Sequence, residues 1–182
     1  MKFTLGITGG SGAHLGLKFL EHLPKDFEIY LVISEGAKKV LEKEGPGARS
    51  DLANCIILDD LDLSAPISSG SFGVEKMAII PTSTNTIAKI ANGISDTLIT
   101  RAASVMIKEK KDLLLAPREM PLSGIMLQNM AKLHMNFVTI APPILGYYAN
   151  IKTLEDMENF LIGKWFDALK IPNNLFQRWG QK

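Results

Sequence analysis

The hydrophobic residues of the chain form short, nearly continuous runs that alternate with segments of helical periodicity. The runs predict strands at residues 3–8, 27–34, 76–83, 112–117 and 137–143. The segments between them predict helices at residues 14–23, 36–43, 84–91, 96–110, 121–134 and 153–169. Thr153 is the expected N-cap of the last helix, with Asp156 three residues further on. Residues 45–66 show neither pattern and are predicted to be irregular.

Strands that are apolar on both faces and separated by helices are typical of a parallel sheet covered on both sides. The chain has 182 residues and shows no internal repeat, low-complexity tract or linker. We therefore predict a single α/β domain over residues 1–182. In such domains ligands bind beyond the carboxyl ends of the strands. The strand ends here carry small, polar and charged residues, so the site is expected at that edge.

A glycine-rich loop, Gly9-Gly10-Ser11-Gly12, joins the first strand to a helix. Glycines let a backbone approach an anion closely, and a helix N-terminus adds partial positive charge. The loop therefore predicts a phosphate or cofactor site; the alternative is a tight turn in which Ser11 caps the helix. The spacing departs from GxGxxG, and the second strand ends in Ser34 where a dinucleotide enzyme would have an acid. A mononucleotide such as FMN fits better, because a hydroxyl can donate to phosphate whereas a carboxylate would repel it.

A second hydroxyl-rich turn follows the third predicted strand. It carries Ser83, Thr84, Asn85 and Thr86 at the start of a helix. These side chains and the helix N-terminus predict a place for a phosphate or a ribityl chain. The alternative is simple N-capping by Ser83 or Thr84.

Charged side chains stand in unexpected places. Arg101 and Lys108 are seven residues apart on one predicted helix and so share nearly the same stripe. Arg118 and Glu119 directly follow a buried strand; they are either exposed at the sheet edge or part of the site, and we favour the site. Lys164 falls on an apolar helix face, where it either extends to solvent or binds an anion.

Composition narrows the classes of function. Lys+Arg is 20 and Asp+Glu is 19, a formal net charge of +1, so no global field favours nucleic acid or an anionic membrane. Cys55 is the single cysteine, which excludes an intrachain disulfide and a cysteine zinc site. The histidines lack metal-ligand spacing, and the acidic cluster Asp59-Asp60-Asp62 is interpreted as a solvated turn, so no metal is expected. The N-terminal run is too short for a signal peptide or a membrane span, and we expect a cytoplasmic enzyme or binding domain.

Several segments together resemble the flavin prenyltransferases (UbiX-like), formerly described as 3-octaprenyl-4-hydroxybenzoate carboxy-lyases. These segments are GITGGSGA, VISEGAKKVL, ISSGSFG, IANGISDTLITRAASVMIKE, LLLAPREMPLS and FQRW, and the resemblance spans the chain from Lys2 to Trp179. The resemblance implies a Rossmann-like or flavodoxin-like α/β domain of three layers with a mostly parallel sheet, assembled as a homododecamer. It implies transfer of a dimethylallyl group from dimethylallyl phosphate to N5 and C6 of reduced FMN, without a metal. The product, prenylated FMN, would serve a UbiD-type decarboxylase, with ubiquinone biosynthesis as an associated pathway.

The resemblance also implies roles for individual residues. The residues implied to hold FMN are Gly9, Gly10, Ser11, Ser34, Ser83, Thr84, Asn85, Thr86 and Arg118. Those implied to meet the prenyl phosphate are Tyr148 and Lys164, with Arg101, Lys108 and Glu119 completing a charged shell. The implied catalytic residues are Ser11 and Glu44 for proton handling, Glu119, and Trp179 near the prenyl group. In the family, neighbouring subunits supply some of these side chains.

The chain departs from the family pattern at Thr82, where many members carry cysteine, and at Gly10, where alanine is common. The alternatives are an FMN-dependent decarboxylase of an aromatic or cysteinyl substrate and a non-catalytic FMN carrier. Related cysteine decarboxylases need a PAMNxxMW-like motif where this chain has PTSTNTIA. A carrier needs one phosphate site and a prenyltransferase needs two, so the additional basic residues favour the transferase.

Overall fold

The computed structural model describes residues 1–45 and 52–180. The strands are β1 Lys2–Ile7, β2 Glu28–Ile33, β3 Cys55–Leu58, β4 Lys76–Thr82, β5 Asp112–Pro117 and β6 Thr139–Ile140. They form one sheet in the order β3-β2-β1-β4-β5-β6, and every neighbouring pair is parallel. The α-helices are α1 His14–Glu21, α2 Glu35–Glu44, α3 Thr84–Ala91, α4 Leu98–Lys108, α5 Gly124–Met135 and α6 Leu154–Ala168. The predicted α/β fold with a parallel sheet is confirmed.

The helices cover the sheet in two layers. On one face, Phe19 of α1 and Phe166 of α6 pack on β-strand side chains such as Leu5. On the other face, Ile87 of α3 and Leu98 of α4 pack in the second core cluster. Successive strand residues point to opposite faces, which is why runs buried on both sides read as continuously apolar. The helices α4 and α6 therefore lie on opposite faces of the sheet.

The prediction that residues 45–66 are irregular is wrong at β3, which pairs with β2 through Ile29–Cys55 and following residues. The strand is only four residues long and forms the edge of the sheet. Ile56 and Ile57 remain 47% and 57% exposed, so the strand lacks the burial that marks the central ones. Residues 46–51 of this segment lie outside the described residues.

Two other predicted elements are shorter than expected. The strand predicted at residues 137–143 is reduced to Thr139–Ile140, because Phe137 has a φ of 65° and Pro142 and Pro143 have no N–H to donate. The helix predicted from residue 121 begins at Gly124, after Ser123, whose side chain accepts the N–H of Met126.

The ends and packing of two helices bear on the site. Gly16 in α1 lies so close to β4 that a Cβ there would stand 2.3 Å from the Ile80 carbonyl oxygen. The predicted cap of α6 is confirmed, since Thr153 and Asp156 exchange hydrogen bonds as a capping box.

Among the described residues, no helix combines the length and apolarity needed to cross a membrane.

Candidate active site

A cavity of 440 Å³ opens at the carboxyl edge of the sheet. This sheet-edge cavity is lined by residues 8–9, 34–36, 59–61, 83–86, 89, 97 and 99–100. Three helices begin there: α2 after Ser34, α3 after Ser83 and α4 after Thr97. The N-termini of α2 and α3 present N–H groups and partial positive charge, which suits a phosphate group. At α4 the first N–H groups are taken within the chain, because Leu98 and Ile99 donate to Asp60 and Thr100 donates to Thr97.

Hydroxyl side chains fix the first turns of these helices. Ser34 Oγ accepts the N–H of Ala37 and Ser83 Oγ accepts the N–H of Thr86, each at 3.2 Å. The alternative in which Ser83 caps its helix is thus confirmed. A cap satisfies only some of the free N–H groups of a helix end, so capping and ligand binding are compatible. Thr84 and Asn85 are exposed and border the cavity.

Thr8 joins the ends of β1 and β4 at the wall of the sheet-edge cavity. Its Oγ1 donates to the Pro81 carbonyl at 2.9 Å and accepts the N–H of Ser83 at 2.7 Å. The side chain is buried, so these bonds set where the Ser83 turn begins. We did not predict a role for Thr8; the available signal was a polar residue between a buried strand and a glycine loop.

The glycine loop is divided between two environments. A Cβ on Gly9 would lie 3.1 Å from the carbonyl carbon of Gly36, so these two backbones approach closely at the cavity. Gly10 instead faces Pro81, and neither Gly10 nor Ser11 lines the sheet-edge cavity. The alternative in which Ser11 caps α1 is wrong, because Ala13 holds that position without a side-chain bond.

Glu44, the last residue of α2, accepts a hydrogen bond from the loop that precedes α1. Its carboxylate accepts the N–H of Gly12 at 2.9 Å and 3.2 Å. Burial opposes ionisation of this carboxyl, but hydrogen bonds from the Ser11 hydroxyl and the Gly12 N–H outweigh it and lower the pKa of Glu44. The structure thus brings together Ser11 and Glu44, which the family resemblance pairs.

The acidic cluster is only partly a solvated turn. Asp59 and Asp62 are exposed, but Asp60 is buried and its Oδ1 accepts the N–H of Ile99 at 2.9 Å. Burial raises the pKa of Asp60, and the bond to Ile99 opposes that rise. Asp60 therefore receives one of the free N–H groups at the start of α4, which corrects the interpretation of this residue as solvated.

Thr82 has a structural place in the sheet. It is fully buried and does not line the sheet-edge cavity. Its Oγ1 donates to the Ile79 carbonyl at 2.6 Å and accepts the N–H of Ala116 at 3.0 Å. These bonds bridge β4 and β5 where their register shifts. A hydroxyl in place of the family cysteine therefore satisfies a buried backbone donor.

A second cavity, also of 440 Å³, follows the end of β5. This Arg118 cavity is lined by Arg118, Glu119, Met120, Leu122, Met130, Pro142, Pro143 and Ile144. Its walls are mainly apolar, with one cation and one carboxylate. A further cavity of 510 Å³ is bordered by both Glu119 and the Thr84–Asn85 turn. Shared lining residues thus connect the sheet-edge cavity to the Arg118 cavity.

The aromatic residues of the predicted prenyl region meet at the C-terminal segment. The Tyr148 ring makes edge contacts with Phe160 and with Trp179, each with ring centroids 5.6 Å apart. Arg178 holds this segment through two bonds to Asp167, at 2.8 Å and 2.9 Å. Trp179 is nevertheless 82% exposed.

Lys164 lies on α6 with buried residues on either side, and its own side chain is exposed. The structure thus shows it extended toward solvent, the simpler of the two readings in a single chain. Binding of an anion there stays a prediction.

Arg101 and Lys108 share the outer stripe of α4, as predicted. Arg101 Nε donates to the Ser68 carbonyl at 3.0 Å, and Lys108 pairs with Glu109. Because α4 and α6 cover opposite faces of the sheet, one chain does not bring these two cations to Lys164.

Hydrogen-bond donors that line the sheet-edge cavity suit the phosphate of a flavin. The N-termini of α2 and α3, two closely approaching glycines and short hydroxyl side chains converge on one cavity. Within the part of the chain that the structure describes, no three His, Cys, Asp or Glu side chains are grouped so that they could hold a metal ion.

Comparison with known proteins identifies the family. A family profile described as Flavoprotein matches residues 1–165. The flavin prenyltransferase UbiX of Helicobacter pylori (strain J99) is 52% identical over an alignment of 185 positions, which covers 99% of each chain. The chain belongs to the flavin prenyltransferase family.

Solved structures of this family superpose closely. AnUbiX (PadA1), crystallised in complex with FMN and dimethylallyl pyrophosphate, has a TM-score of 0.94 at 34% identity, covering 100% of this chain and 98% of that chain. The dodecameric FMN-dependent UbiX-like decarboxylase from Escherichia coli O157:H7 has a TM-score of 0.92 at 38% identity, covering 98% and 99%.

Residues that we did not predict supply much of the sheet-edge cavity. They include Thr8, Gly36, Asp60, Lys89, Thr97 and Thr100. Thr97 and Thr100 form a capping box at the start of α4. Two threonines three residues apart at the start of an apolar helix predict a capping box, so this feature could have been recognised in the sequence. Asp60 gave no such signal, because its contact with α4 joins residues far apart in sequence.

Proposed function

We propose that this chain is a flavin prenyltransferase that joins the dimethylallyl group of dimethylallyl phosphate to N5 and C6 of reduced FMN. The observation that carries the proposal is the convergence of the α2 and α3 N-termini on one cavity in a chain 52% identical to a UbiX protein over 99% of its length. In the reaction the allylic C–O bond breaks and phosphate leaves as the prenyl group bonds to N5, which gives up its proton. The alkene then takes up a proton, and C6 loses its hydrogen as a proton when the second bond forms.

The proposed flavin site uses the sheet-edge cavity and its extension toward the end of β5. Gly9, Ser34 and the turn Ser83-Thr84-Asn85-Thr86 hold the phosphate and ribityl end, where the helix N-termini point. Gly10 lies beside Arg118, since a Cβ on Gly10 would stand 4.0 Å from the Arg118 Cβ. Gly10, Ser11 and Arg118 are proposed to contact the rest of the flavin. When bound, reduced FMN supplies a nucleophilic ring nitrogen, and the apolar walls of the Arg118 cavity exclude water.

The proposed prenyl-phosphate site consists of side chains whose charge matches the departing group. Arg118, Lys164, Lys108 and the Tyr148 hydroxyl stabilise the leaving phosphate as charge develops on it. The face of Trp179 stabilises the positive charge on the allyl group. Ser11 and Glu44 handle the proton at the flavin, and Arg101 and Glu119 complete the charged shell.

We also propose that the site is completed in a homo-oligomer, a dodecamer like that of the Escherichia coli relative. Arg101 and Lys108 lie on the sheet face opposite to Lys164, so a neighbouring chain is needed to join them. Large apolar side chains line the Arg118 cavity and the cavity beside it and are open in one chain: Met120 is 87%, Ile144 69% and Ile125 73% exposed. Such a surface is typical of subunit contacts.

The proposed product, prenylated FMN, would be delivered to a UbiD-type decarboxylase in the cytoplasm. This step rests on the family alone.

The direct test is anaerobic incubation of the purified protein with reduced FMN and dimethylallyl phosphate, followed by mass analysis of the released flavin. The expected result is a mass gain of one prenyl unit. Unmodified flavin that stays tightly bound would overturn the proposal and favour a flavin carrier or an FMN-dependent decarboxylase. Running the same assay with dimethylallyl pyrophosphate decides between the two donors.

A further inference from the structure

The C-terminal segment, residues 171–180, packs along one stripe of α6. The stripe consists of Phe160, Gly163 and Asp167, which recur at the three- and four-residue spacing of a helix face. The Phe160 ring makes an edge contact with Phe176, with ring centroids 5.1 Å apart. A Cβ on Gly163 would stand 2.5 Å from a carbon of the Phe176 ring, so the glycine leaves the space in which that ring lies.

Asp167 binds the far end of the C-terminal segment. Its two carboxylate oxygens accept from the two terminal nitrogens of Arg178 at 2.8 Å and 2.9 Å, and one of them also accepts from Asn173 Nδ2 at 2.9 Å. Arg178 further donates to the Asn173 carbonyl at 3.2 Å. A guanidinium that meets both oxygens of a carboxylate is fixed in direction as well as in distance. We call these three residues the Asp167 clasp.

The Asp167 clasp lies next to the aromatic residues of the proposed prenyl site. Trp179 directly follows Arg178, and its ring meets the edge of Tyr148, which in turn meets Phe160 on the α6 stripe. Because Trp179 is 82% exposed, its orientation depends on the backbone that carries it. The clasp fixes that backbone one residue before the indole.

We propose that Arg178 and Asp167 are positioning residues for prenyl transfer, because their pairing holds Trp179 against Tyr148. The inference rests on the proposed function, in which these two aromatic residues meet the prenyl phosphate. A side chain that is already ordered in its working position does not have to be ordered during the reaction. Arg178 thus acts through Trp179.

The variant Arg178→Gln removes the charge and the paired hydrogen bonds of the clasp. We expect kcat for prenylation to fall about tenfold, the same loss as for Trp179→Leu, because both variants remove the ordered indole. The Kd for FMN should stay unchanged, since neither clasp partner lines the sheet-edge cavity. Asp167→Asn should reproduce the loss, because it breaks the same pair from the other side.

A double variant tests whether Arg178 acts through Trp179. In a Trp179→Leu background, Arg178→Gln should cause no further fall in kcat, because two changes that act through one group are not additive. A further tenfold fall would mean that Arg178 acts on the reaction by another route, and it would overturn the inference.

Lys76→Met is the matched control for a loss of stability. It breaks the ion pair of Lys76 with Asp112 at the first residues of β4 and β5, the sheet edge opposite to the sheet-edge cavity. We expect this variant to be less stable and to keep the kcat of the wild type. An equal fall of kcat in Lys76→Met and Arg178→Gln would assign the Asp167 clasp to stability alone.

Tryptophan fluorescence tests the positioning without any reaction. The chain has two tryptophans, and Trp165 is buried with its Nε1 donating to the Ala141 carbonyl at 2.9 Å. In ligand-free protein, time-resolved anisotropy therefore compares a fixed indole with Trp179. Arg178→Gln should increase the depolarisation on the nanosecond timescale. The same change in a Trp179→Leu background, where Trp165 alone emits, should cause no increase.

Unchanged depolarisation in Arg178→Gln would overturn the inference, because the indole would then be held without the clasp. The anisotropy does not depend on prenylation. If wild-type protein fails to prenylate FMN, the proposed function fails, while the anisotropy still decides whether the clasp orders Trp179.

Discussion

The sheet-edge cavity and the proposed prenyl region around Arg118, Tyr148 and Lys164 differ in how much of the proposed site one chain completes. At the sheet-edge cavity, each turn is held by bonds within the chain, such as those of Thr8 to Pro81 and Ser83. In the prenyl region, Tyr148 is 43% and Trp179 82% exposed. Backbone N–H groups need only local turns to point at a phosphate, whereas long side chains on the surface need further walls to fix them.

The change expected to separate the two regions most strongly is Lys164→Ala. Loss of a cation that stabilises the leaving phosphate should lower kcat/KM for dimethylallyl phosphate about 100-fold. The Kd for FMN should stay the same, because Lys164 does not line the sheet-edge cavity. Steady-state kinetics and FMN fluorescence titration measure the two effects. Lys152→Ala, which removes another exposed lysine next to α6, is the control and should change neither. Equal loss of both properties would move Lys164 to the flavin site or to a structural role.

Thr82→Val tests the internal bonding behind the sheet-edge cavity. It leaves the buried N–H of Ala116 without an acceptor, so we expect a loss of about 1–3 kcal/mol in unfolding free energy. Chemical denaturation measures this loss. Thr82→Ser keeps the hydroxyl and should retain most of the stability. If the Thr82→Val protein were as stable as the wild type, the bridge between β4 and β5 would not stabilise the sheet behind the sheet-edge cavity.

We expect Trp179→Leu to lower turnover and leave stability nearly unchanged, whereas Thr82→Val is expected to lower stability. The side chain is mostly exposed, so unfolding free energy should change by less than about 0.5 kcal/mol. Turnover should fall about tenfold if the indole face stabilises allyl charge. Rapid-quench measurement of prenylated product tests the rate, and Trp179→Phe should keep most of it. A full rate in the leucine variant would remove Trp179 from the proposed chemistry.

The smallest effect is expected at the glycine loop itself. In Gly10→Ala the new methyl would lie 3.3 Å from the Pro81 Cβ, a tight contact that a small shift relieves. We expect a stability change of less than about 1 kcal/mol and normal FMN binding.

Gly16→Ala is the contrast to Gly10→Ala. Its Cβ would stand 2.3 Å from the Ile80 carbonyl oxygen, a backbone atom that cannot move aside alone. Thermal unfolding should show a large loss for this variant. Similar behaviour of the two variants would mean that the approach of α1 to β4 is less constrained than the structure indicates.

The comparison also explains what the sequence could predict. The hydroxyl side chains predicted the Ser83 turn because local residues cap α3. Hydrophobic periodicity predicted the central strands because they are buried on both faces. It missed β3, a short edge strand with two exposed isoleucines. It also misread Asp60, whose burial depends on a contact with α4 that is distant in sequence.

The prenyl region shows a different limit. The family resemblance implied Arg101, Lys108 and Lys164 as one charged shell, yet the chain places them on opposite faces of the sheet. Sequence can indicate that such side chains belong together, but not which copy of the chain supplies each one.

Subunit complementation tests the central claim most directly. Chains carrying Lys164→Ala and chains carrying Lys108→Ala are mixed, reassembled, and assayed for prenylated FMN. If different subunits supply the two lysines, random mixing restores both in about a quarter of the sites, and activity should rise well above that of either variant alone. Activity that stays at the level of the separate variants would contradict the claim that neighbouring chains complete the prenyl-phosphate site.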